Sequence, residues 1–352
     1  MTDSSPITAD GSLEQAPEQA PATGQPGSGT AQKITGVVTA NFTTALPYIL
    51  VPVLYILSLI FIPGYFSRIS IISLLILASL LGLASLGQTM TIIAGGIDLS
   101  IPSVIGLSDI IITQLYNKGW SLPVIFLLIA AIAIVIGTIS AVASVLLHVH
   151  SLITSFGMSL VVSGIALEFS NGAVTGAVPG WLTSSVSVIG RTGPIPIPSI
   201  IIVWAVASVL AVAFMRLTRI GRETYALGAN SVAARMAVVR STWTLIVVFS
   251  ISALCAAMVG IFFAGYSGIP DPTVGQPYFF LTITAVLIGG TSLLGGRGGY
   301  QRTVMGALIV AELTTLLVGV GFSASFQELA LGILVVALTS TYGRELKVAA
   351  KI

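Results

Sequence analysis

The chain has 352 residues, of which 55% are hydrophobic and only 7% are charged, with 14 basic and 12 acidic side chains. Soluble domains carry about 25% charged residues, and the mean hydropathy of this chain is +1.04. This composition excludes a soluble enzyme, a nucleic-acid-binding domain and a disordered chain, and it leaves a membrane protein with many spans.

The N-terminal segment differs in composition from the rest of the chain. Residues 1–32 hold four acids, no base and several prolines and glycines, and the first aromatic side chain is Phe42. Such a segment cannot bury enough apolar surface to offset the entropy of ordering it. We therefore expect a disordered acidic tail over 1–45, a transmembrane domain over 46–345 and a short C-terminus over 346–352.

Apolar runs of the length needed to cross a bilayer, about 20 residues, recur along the rest of the chain. They cover residues 47–66, 70–94, 99–116, 122–147, 151–170, 198–215, 243–267, 279–294, 302–321 and 326–342. The sequence therefore predicts an all-α, polytopic membrane protein with about ten transmembrane helices.

The basic residues predict how these helices are oriented. If both termini lie in the cytoplasm, the loops on the outer side contain only Arg68, Lys118 and Arg191, and the other 11 bases lie inside. The reverse orientation would place most bases outside, against the positive-inside rule. We therefore predict that both termini are cytoplasmic.

A broken helix is predicted within residues 88–103, QTMTIIAGGIDLSIPS. Two glycines can end one helix, and an acid or a serine after them can cap the next. Transporters place such breaks, with their free backbone groups, where the substrate passes. The first part of the candidate substrate pathway therefore comprises Gly95, Gly96, Asp98, Ser100 and Ser103. The alternative is that Asp98 only caps a helix at the cytoplasmic interface.

Polar residues deeper in the apolar runs extend this candidate pathway. Asp109 follows Asp98 by 11 residues, which is three helical turns, so the two would share a face if the helix begins at Asp98. Glu312 and Thr314 lie in the ninth run. Charged groups inside membrane spans are costly and usually face a cavity or a partner. The alternative for each of these residues is a protonated or hydrogen-bonded structural role.

The longest inner loop, residues 216–240, is here called the coupling segment, and it contains five of the bases. Gly228 can break the chain direction, and Asn230 is a good N-cap for a short helix directly after it. That helix would present Ala233 and Ala234, whose small side chains let another surface approach closely. The segment is therefore a candidate docking surface for a cytoplasmic partner. The alternative is a solvated basic loop that only fixes topology.

Two further segments are rich in glycine or proline. Residues 288–309, IGGTSLLGGRGGYQRTVMGALI, lack the Gly-Lys-Ser/Thr ending of a P-loop and instead predict close helix packing and a compact turn. Residues 268–278, GIPDPTVGQPY, weakly resemble the GGIDLSIP of the break. If spans 2–5 and 7–10 are inverted repeats, these two segments correspond.

Three of these motifs together resemble the ribose-type permeases of bacterial sugar ABC importers. They are GGIDLS at 95–100, GRETYALGANSVAAR at 221–235, and LIGGTSLLGGRGG with MGALI at 287–309. The resemblance covers about residues 45–345. It implies a type II ABC importer-like permease of ten helices in the bacterial inner membrane, which translocates a sugar, a polyol or a similar small polar solute.

The resemblance also implies partners and contact residues. The permease would pair with a second copy or a paralogue, dock on a cytoplasmic ABC ATPase, and receive solute from a periplasmic or extracellular substrate-binding protein. ATP and Mg²⁺ would bind the ATPase, with no cofactor in this chain and no enzyme activity. The residues that match the family's ATPase contact are Gly221, Arg222, Ala226, Gly228, Asn230, Ala233, Ala234 and Arg235.

The sequence departs from the family mainly inside the membrane. Thr314-Thr315 stands where relatives have Asn-Asn, and Val238 replaces a glycine that usually follows the Ala-Ala-Arg of the coupling segment. Two other functions are consistent with the polar residues alone. One is a secondary transporter that uses Asp98, Asp109 or Glu312 as an ion site, although it would not need the coupling segment. The other is a membrane assembly subunit without transport, against which the broken helix argues.

Overall fold

A computed structural model describes residues 28–170 and 176–349, with side chains described for 45–170, 176–323 and 325–337. The chain divides into two units, 1–40 and 41–352, and the description below concerns the second. Most of the predicted acidic tail, residues 1–27, lies outside the described residues. The first helix begins at Ser28, before the first predicted span. The boundary between tail and transmembrane domain therefore stays a prediction.

The described residues form helices and no β-strand. In chain order the helices are α1 Ser28–Phe61, α2 Arg68–Ile93, α3 Ile101–Asn117, α4 Leu122–Leu146, α5 Ser151–Ser170, α6 Gly180–Val186, α7 Ser199–Leu217, α8 Arg219–Ala229, α9 Ser231–Met236, α10 Ser241–Ser267, α11 Tyr278–Ile288, α12 Tyr300–Val320 and α13 Ala324–Ala349.

Each predicted span overlaps one of these helices, namely α1–α5, α7 and α10–α13, although the span predicted over 279–294 ends early, at Ile288 of α11. Among the described residues, α2, α4, α5, α7, α10 and α12 are long and apolar enough to cross a membrane, and shorter apolar helices cover Ala45–Phe61, Tyr278–Ile288 and Ser325–Ala337. The all-α, polytopic architecture is confirmed. The count of ten crossings and the orientation of the termini stay predictions.

The core lies where α2, α3 and α10 meet. Helices α2 and α3 bury most of their residues and α10 about half, whereas α4, α5 and α7 leave apolar side chains such as Leu127 and Leu210 exposed, as expected for surfaces that face lipid. Small residues permit the close packing. A side chain at Gly87 would collide with the backbone of Ser252, and one at Gly260 with the carbonyl of Ile105.

Helices α2–α5 and α10–α13 are arranged as an internal repeat. Helix α2 begins at Arg68 and α10 at Ser241, 173 residues later, and the same interval separates the starts of α5 at Ser151 and α13 at Ala324. The packing is reciprocal as well, because α2 contacts α11 and α12 while α10 contacts α3 and α4. Five predicted spans lie between the starts of the two repeats, so the repeats would cross the membrane in opposite directions.

Two turns of the repeats contain left-handed residues at the same interval of 173 residues. Gly95 follows α2 with φ 86° and Gly268 follows α10 with φ 67°. His148 follows α4 with φ 55°, and its counterpart Gly321 follows α12 with φ 93°. These four residues lie in the left-handed region, which favours glycine. The weak sequence likeness between residues 95–102 and 268–278 therefore accompanies the same left-handed conformation at the start of each turn.

Candidate functional site

The break between α2 and α3 covers residues 94–100 and is confirmed by the structure. Helix α2 ends at Ile93 and α3 begins at Ile101, with a proline in its first turn. The freed backbone groups are bonded by serines of α5. The Ser151 hydroxyl accepts from the amide of Ile97 at 3.3 Å, and the Ser155 hydroxyl accepts from the amide of Leu99 at 3.0 Å. Ser155 also donates to the Ile97 carbonyl at 3.1 Å, so α5 holds the break in place.

The carboxylate of Asp98 organises the second half of the break. Its Oδ1 accepts from the amide of Ser100 at 2.9 Å and from the Ser100 hydroxyl at 2.6 Å, while its Oδ2 is buried without a partner. Ser103 donates to the Ser100 carbonyl at 2.8 Å. Asp98 therefore stabilises the turn at Ser100, directly before α3, and is not itself a residue of that helix. The expected common helix face of Asp98 and Asp109 is wrong, because α3 begins three residues after Asp98.

Two further buried polar side chains are Ser252, in the seam between α2 and α10 against Gly87, and Gln88 on α2. Gln88 is fully buried with both amide atoms unpartnered, and Ser252, near the Asp98 carboxylate, is fully buried with an unpartnered hydroxyl. Unpaired polar atoms in such a place are costly unless water or solute reaches them. Gln88 lies within residues 88–103 and Ser252 within the seventh apolar run, and no local sequence pattern predicts a role for either.

Asp109 holds a different part of the molecule. It is fully buried, and its Oδ2 accepts from the amide of Asp271 at 2.8 Å. Residues 268–277, here called the proline loop, connect α10 with α11 and pack closely on α3, where only Gly106 leaves room for the carbonyl of Pro272. This geometry favours the structural alternative for Asp109, since its carboxylate fastens the proline loop to α3.

Glu312 also has structural partners. Its Oε1 accepts from the Ser58 hydroxyl at 2.6 Å and its Oε2 from the Tyr65 hydroxyl at 2.9 Å, and the side chain is buried. These bonds connect α12 with α1 and with the loop after α1. Thr314 is half-buried in the next turn of α12. Among the described residues, no hydrogen bond or ion pair joins Asp98, Asp109 and Glu312 to one another.

The coupling segment folds into α8 and α9. Asn230 separates them, and its Oδ1 accepts from the amides of Val232 and Ala233, each at 3.0 Å, which confirms the predicted N-cap and short helix. Two details are corrected. Gly228 lies inside α8 and does not break the chain direction, because Asn230 makes that turn. Ala233 is exposed, but Ala234 is 4% exposed and faces the protein.

Side-chain contacts fix α8 against the membrane helices. Glu223 accepts from Arg219 at 2.7 Å and from the Thr244 hydroxyl at 2.9 Å, so it connects α8 with α10. The bond from Arg219 lowers the pKa of Glu223 below its usual range. Tyr225 donates to the Gly298 carbonyl at 3.1 Å, and burial raises the pKa of this tyrosine. Gly221 is buried against the backbone of Met215. Three other residues of the candidate contact are exposed: Arg222, Ala226 and Arg235.

Four glycines join the three sequence motifs at one place, here called the glycine junction: Gly95, Gly228, Gly295 and Gly296. The Gly296 amide donates to the Ile93 carbonyl at 2.9 Å, at the end of α2. A side chain at Gly228 would collide with that carbonyl and with the Gly296 amide, and one at Gly295 would press on Gly228 and Gly95. The break, α8 and the loop before α12 therefore meet through backbone contacts that larger residues would prevent.

Comparisons with known proteins agree with this arrangement. The family model described as branched-chain amino acid transport system / permease component matches residues 70–339. The ribose import permease protein of Haemophilus influenzae is 31% identical over 287 residues, 80% of this chain and 87% of the relative. That of Escherichia coli is 28% identical over 268 residues, 75% of this chain and 83% of the relative.

A permease named for a different solute is also similar. The autoinducer 2 import system permease protein of Escherichia coli is 28% identical over 300 residues, 83% of this chain and 85% of the relative. No solved structure matches the chain. Together with the family match, these relatives confirm the resemblance to ribose-type permeases.

Proposed function

The chain belongs to the family of permease components of branched-chain amino acid transport systems, and from this premise we propose that it is the membrane-spanning subunit of an ABC importer for a sugar or similar small polar solute. Within that family, the similar relatives named above are permeases for ribose and autoinducer 2. Those names support a sugar, a polyol or a sugar-derived solute over an amino acid. The chain would perform no chemistry of its own.

The partners in this proposal follow from the coupling segment. A cytoplasmic ATPase subunit would bind ATP and Mg²⁺ and dock on α8 and α9, and a substrate-binding protein would deliver solute on the opposite side. A second copy or a paralogue would complete the importer in the inner membrane. Both termini would be cytoplasmic, on the side of the basic coupling segment.

The observation that carries the proposal is the glycine junction. Helix α8 touches the end of α2 through Gly228 and Ile93, without an intervening side chain that could absorb a displacement. A movement of α8 caused by the ATPase would therefore be passed to the break at Gly95. The break in turn holds Asp98 beside the α2–α10 seam, so nucleotide-driven closure would alter the polar groups of that seam.

The decisive experiment is reconstitution of the chain with an ATP-binding subunit and a substrate-binding protein of a ribose-type importer from the same organism. We expect uptake of ribose or a related solute that requires ATP. Substituting Ala233→Glu should place a charge on the exposed face of α9 and abolish stimulation of the ATPase by the binding protein, with membrane insertion intact. Ala233→Ser, which keeps a small neutral side chain at the same exposed position, is the matched control and should retain the stimulation.

The outcomes separate this proposal from its rivals. Uptake driven by an ion gradient without the ATPase would show a secondary transporter, and assembly without uptake of any tested solute would show a structural subunit. Normal ATP-driven uptake by the Ala233→Glu variant would reject α9 as the contact for the ATPase.

A further inference from the structure

A strained residue lies just after the end of α9. Val238 has φ 58°, and left-handed backbone is unfavourable for a β-branched side chain because its Cβ crowds the following carbonyl. Hydrogen bonds require this conformation: the amide of Val238 donates to the Arg235 carbonyl and that of Val239 to the Ala234 carbonyl, both at 3.1 Å. Glycine would make the same turn without strain.

Packing within the chain does not account for valine at this position. The side chain of Val238 is 81% exposed, so its methyl groups find almost no partner among the described residues. Met236 is 82% exposed and Val232 63% exposed on the same short helix. Val232, Met236 and Val238 are here called the docking patch. Strained residues that persist are concentrated at binding and switch sites.

We propose that Val238 is the apolar anchor by which the docking patch binds an acid-rimmed apolar groove on the ATPase subunit. This inference rests on the proposed function and adds the residue that determines the fit. The two ends of α9 are fixed, by Asn230 at its start and by the left-handed turn at its end. The patch therefore presents a rigid shape, which suits a preformed groove in a protein.

The charges around the patch specify the rim of the groove. Arg222, Arg235 and Arg240 are exposed, and the single acid of the coupling segment, Glu223, is bonded to Arg219 and Thr244. Carboxylates on the partner would complement these arginines. A second copy of the chain would present the same basic surface and be repelled. A lipid surface would gain nothing from a fixed left-handed valine.

The first test compares Val238→Gly with His148→Gly. Both substitutions remove an unfavourable left-handed residue, but His148 lies in the turn between α4 and α5. We expect both variants to unfold at a higher temperature in detergent. Only Val238→Gly should weaken binding of the purified ATP-binding subunit, by about tenfold, as for removal of a central interface side chain. Equal affinity of Val238→Gly and wild type would overturn the proposal.

The second test does not depend on the stability of a glycine variant. The single native cysteine, Cys255, is buried, so Val238→Cys can be labelled selectively with a membrane-impermeant maleimide in lipid nanodiscs. We expect rapid labelling of the permease alone and about tenfold protection after the ATP-binding subunit is added, as for a residue at the interface core. Slow labelling of Val238→Cys in nanodiscs without that subunit would indicate that the residue contacts lipid, and it would reject the proposal. If wild-type permease does not bind the ATP-binding subunit at all, the proposed function fails first.

Discussion

The break and the proline loop occupy corresponding positions in the two repeats, and they use the same local device for different ends. Asp98 Oδ1 accepts from the amide and hydroxyl of Ser100, and Asp271 Oδ1 accepts from the amide and hydroxyl of Thr273 at 2.8 and 2.7 Å. Their surroundings differ. Asp98 is buried near Ser252 of α10, whereas Asp271 is half-buried in a loop, and its own amide donates to Asp109.

The two turns also differ in backbone composition and in their contacts. The break carries two glycines before its aspartate, and one of them, Gly95, contacts the coupling segment through the glycine junction. The proline loop carries Pro270 and Pro272 on either side of its aspartate, which fix the backbone. The two turns are therefore similar in local structure, but only the break contacts α8, and only the break takes part in the proposed coupling.

The largest expected effect comes from substituting the glycine that opens each turn. Gly95→Val and Gly268→Val both place valine at a positive φ, at an expected cost of about 1–2 kcal/mol each. At Gly95 the new Cβ would already lie in van der Waals contact with Gly228, 3.7 Å from its Cα, and the methyl groups of valine would add bulk at this contact, while nothing lies within 4 Å of a Cβ at Gly268. We expect Gly95→Val to reduce ATP-driven uptake about 100-fold, the upper range for coupling between two sites. Gly268→Val should retain most uptake.

Uptake by reconstituted vesicles, normalised to folded protein, measures this difference. Thermal unfolding in detergent provides the control, because the shared strain should lower the unfolding temperature of both variants. Equal uptake by the two variants would mean that the glycine junction has no special part in transport.

A smaller difference is expected when the two aspartates are removed. Asp98→Ala leaves the buried amide of Ser100 without its acceptor, which costs about 1–3 kcal/mol, and should reduce uptake about tenfold. Asp271→Ala exposes the corresponding amide of Thr273 to water, so uptake should change little. Thermal unfolding and uptake of both variants check this expectation. A larger loss of uptake in Asp271→Ala would reverse the functional order of the two loops.

Structural features that are determined by residues adjacent in the sequence were predictable from the sequence. The helix break, the N-cap at Asn230 and the positions of the apolar helices follow from local patterns that glycine, asparagine and hydrophobic runs impose. The roles of Asp109 and Glu312 did not follow, because each depends on a partner far along the chain. Glu312 meets Ser58 and Tyr65, and no local signal predicts that pairing.

The glycine junction was predictable in its parts but not in its assembly. Each glycine pattern indicates close packing or a tight turn, yet a glycine does not specify which backbone approaches it. The resemblance to ribose-type permeases rests on the three motifs that contain these glycines. Their meeting at Gly228 is a property of the fold, since residues near 95, 228 and 295 come together only when α2, α8 and the loop before α12 pack.

The smallest expected effect concerns the contact between α8, which meets the break at the glycine junction, and α10. Glu223 has a lowered pKa in the folded protein because Arg219 bonds to it, so its contribution to stability is present above the usual glutamate pKa of about 4.3. That contribution is lost as the pH falls through the lowered, folded-state pKa. Glu223→Gln should therefore unfold at a slightly lower temperature than wild type at pH 7, and the difference should close as the medium becomes more acidic than that folded-state pKa. Thermal unfolding of both proteins across this range measures it. A difference that persists unchanged in acid would mean that the hydrogen bond to Thr244, and not the charge of Glu223, holds α8 in place.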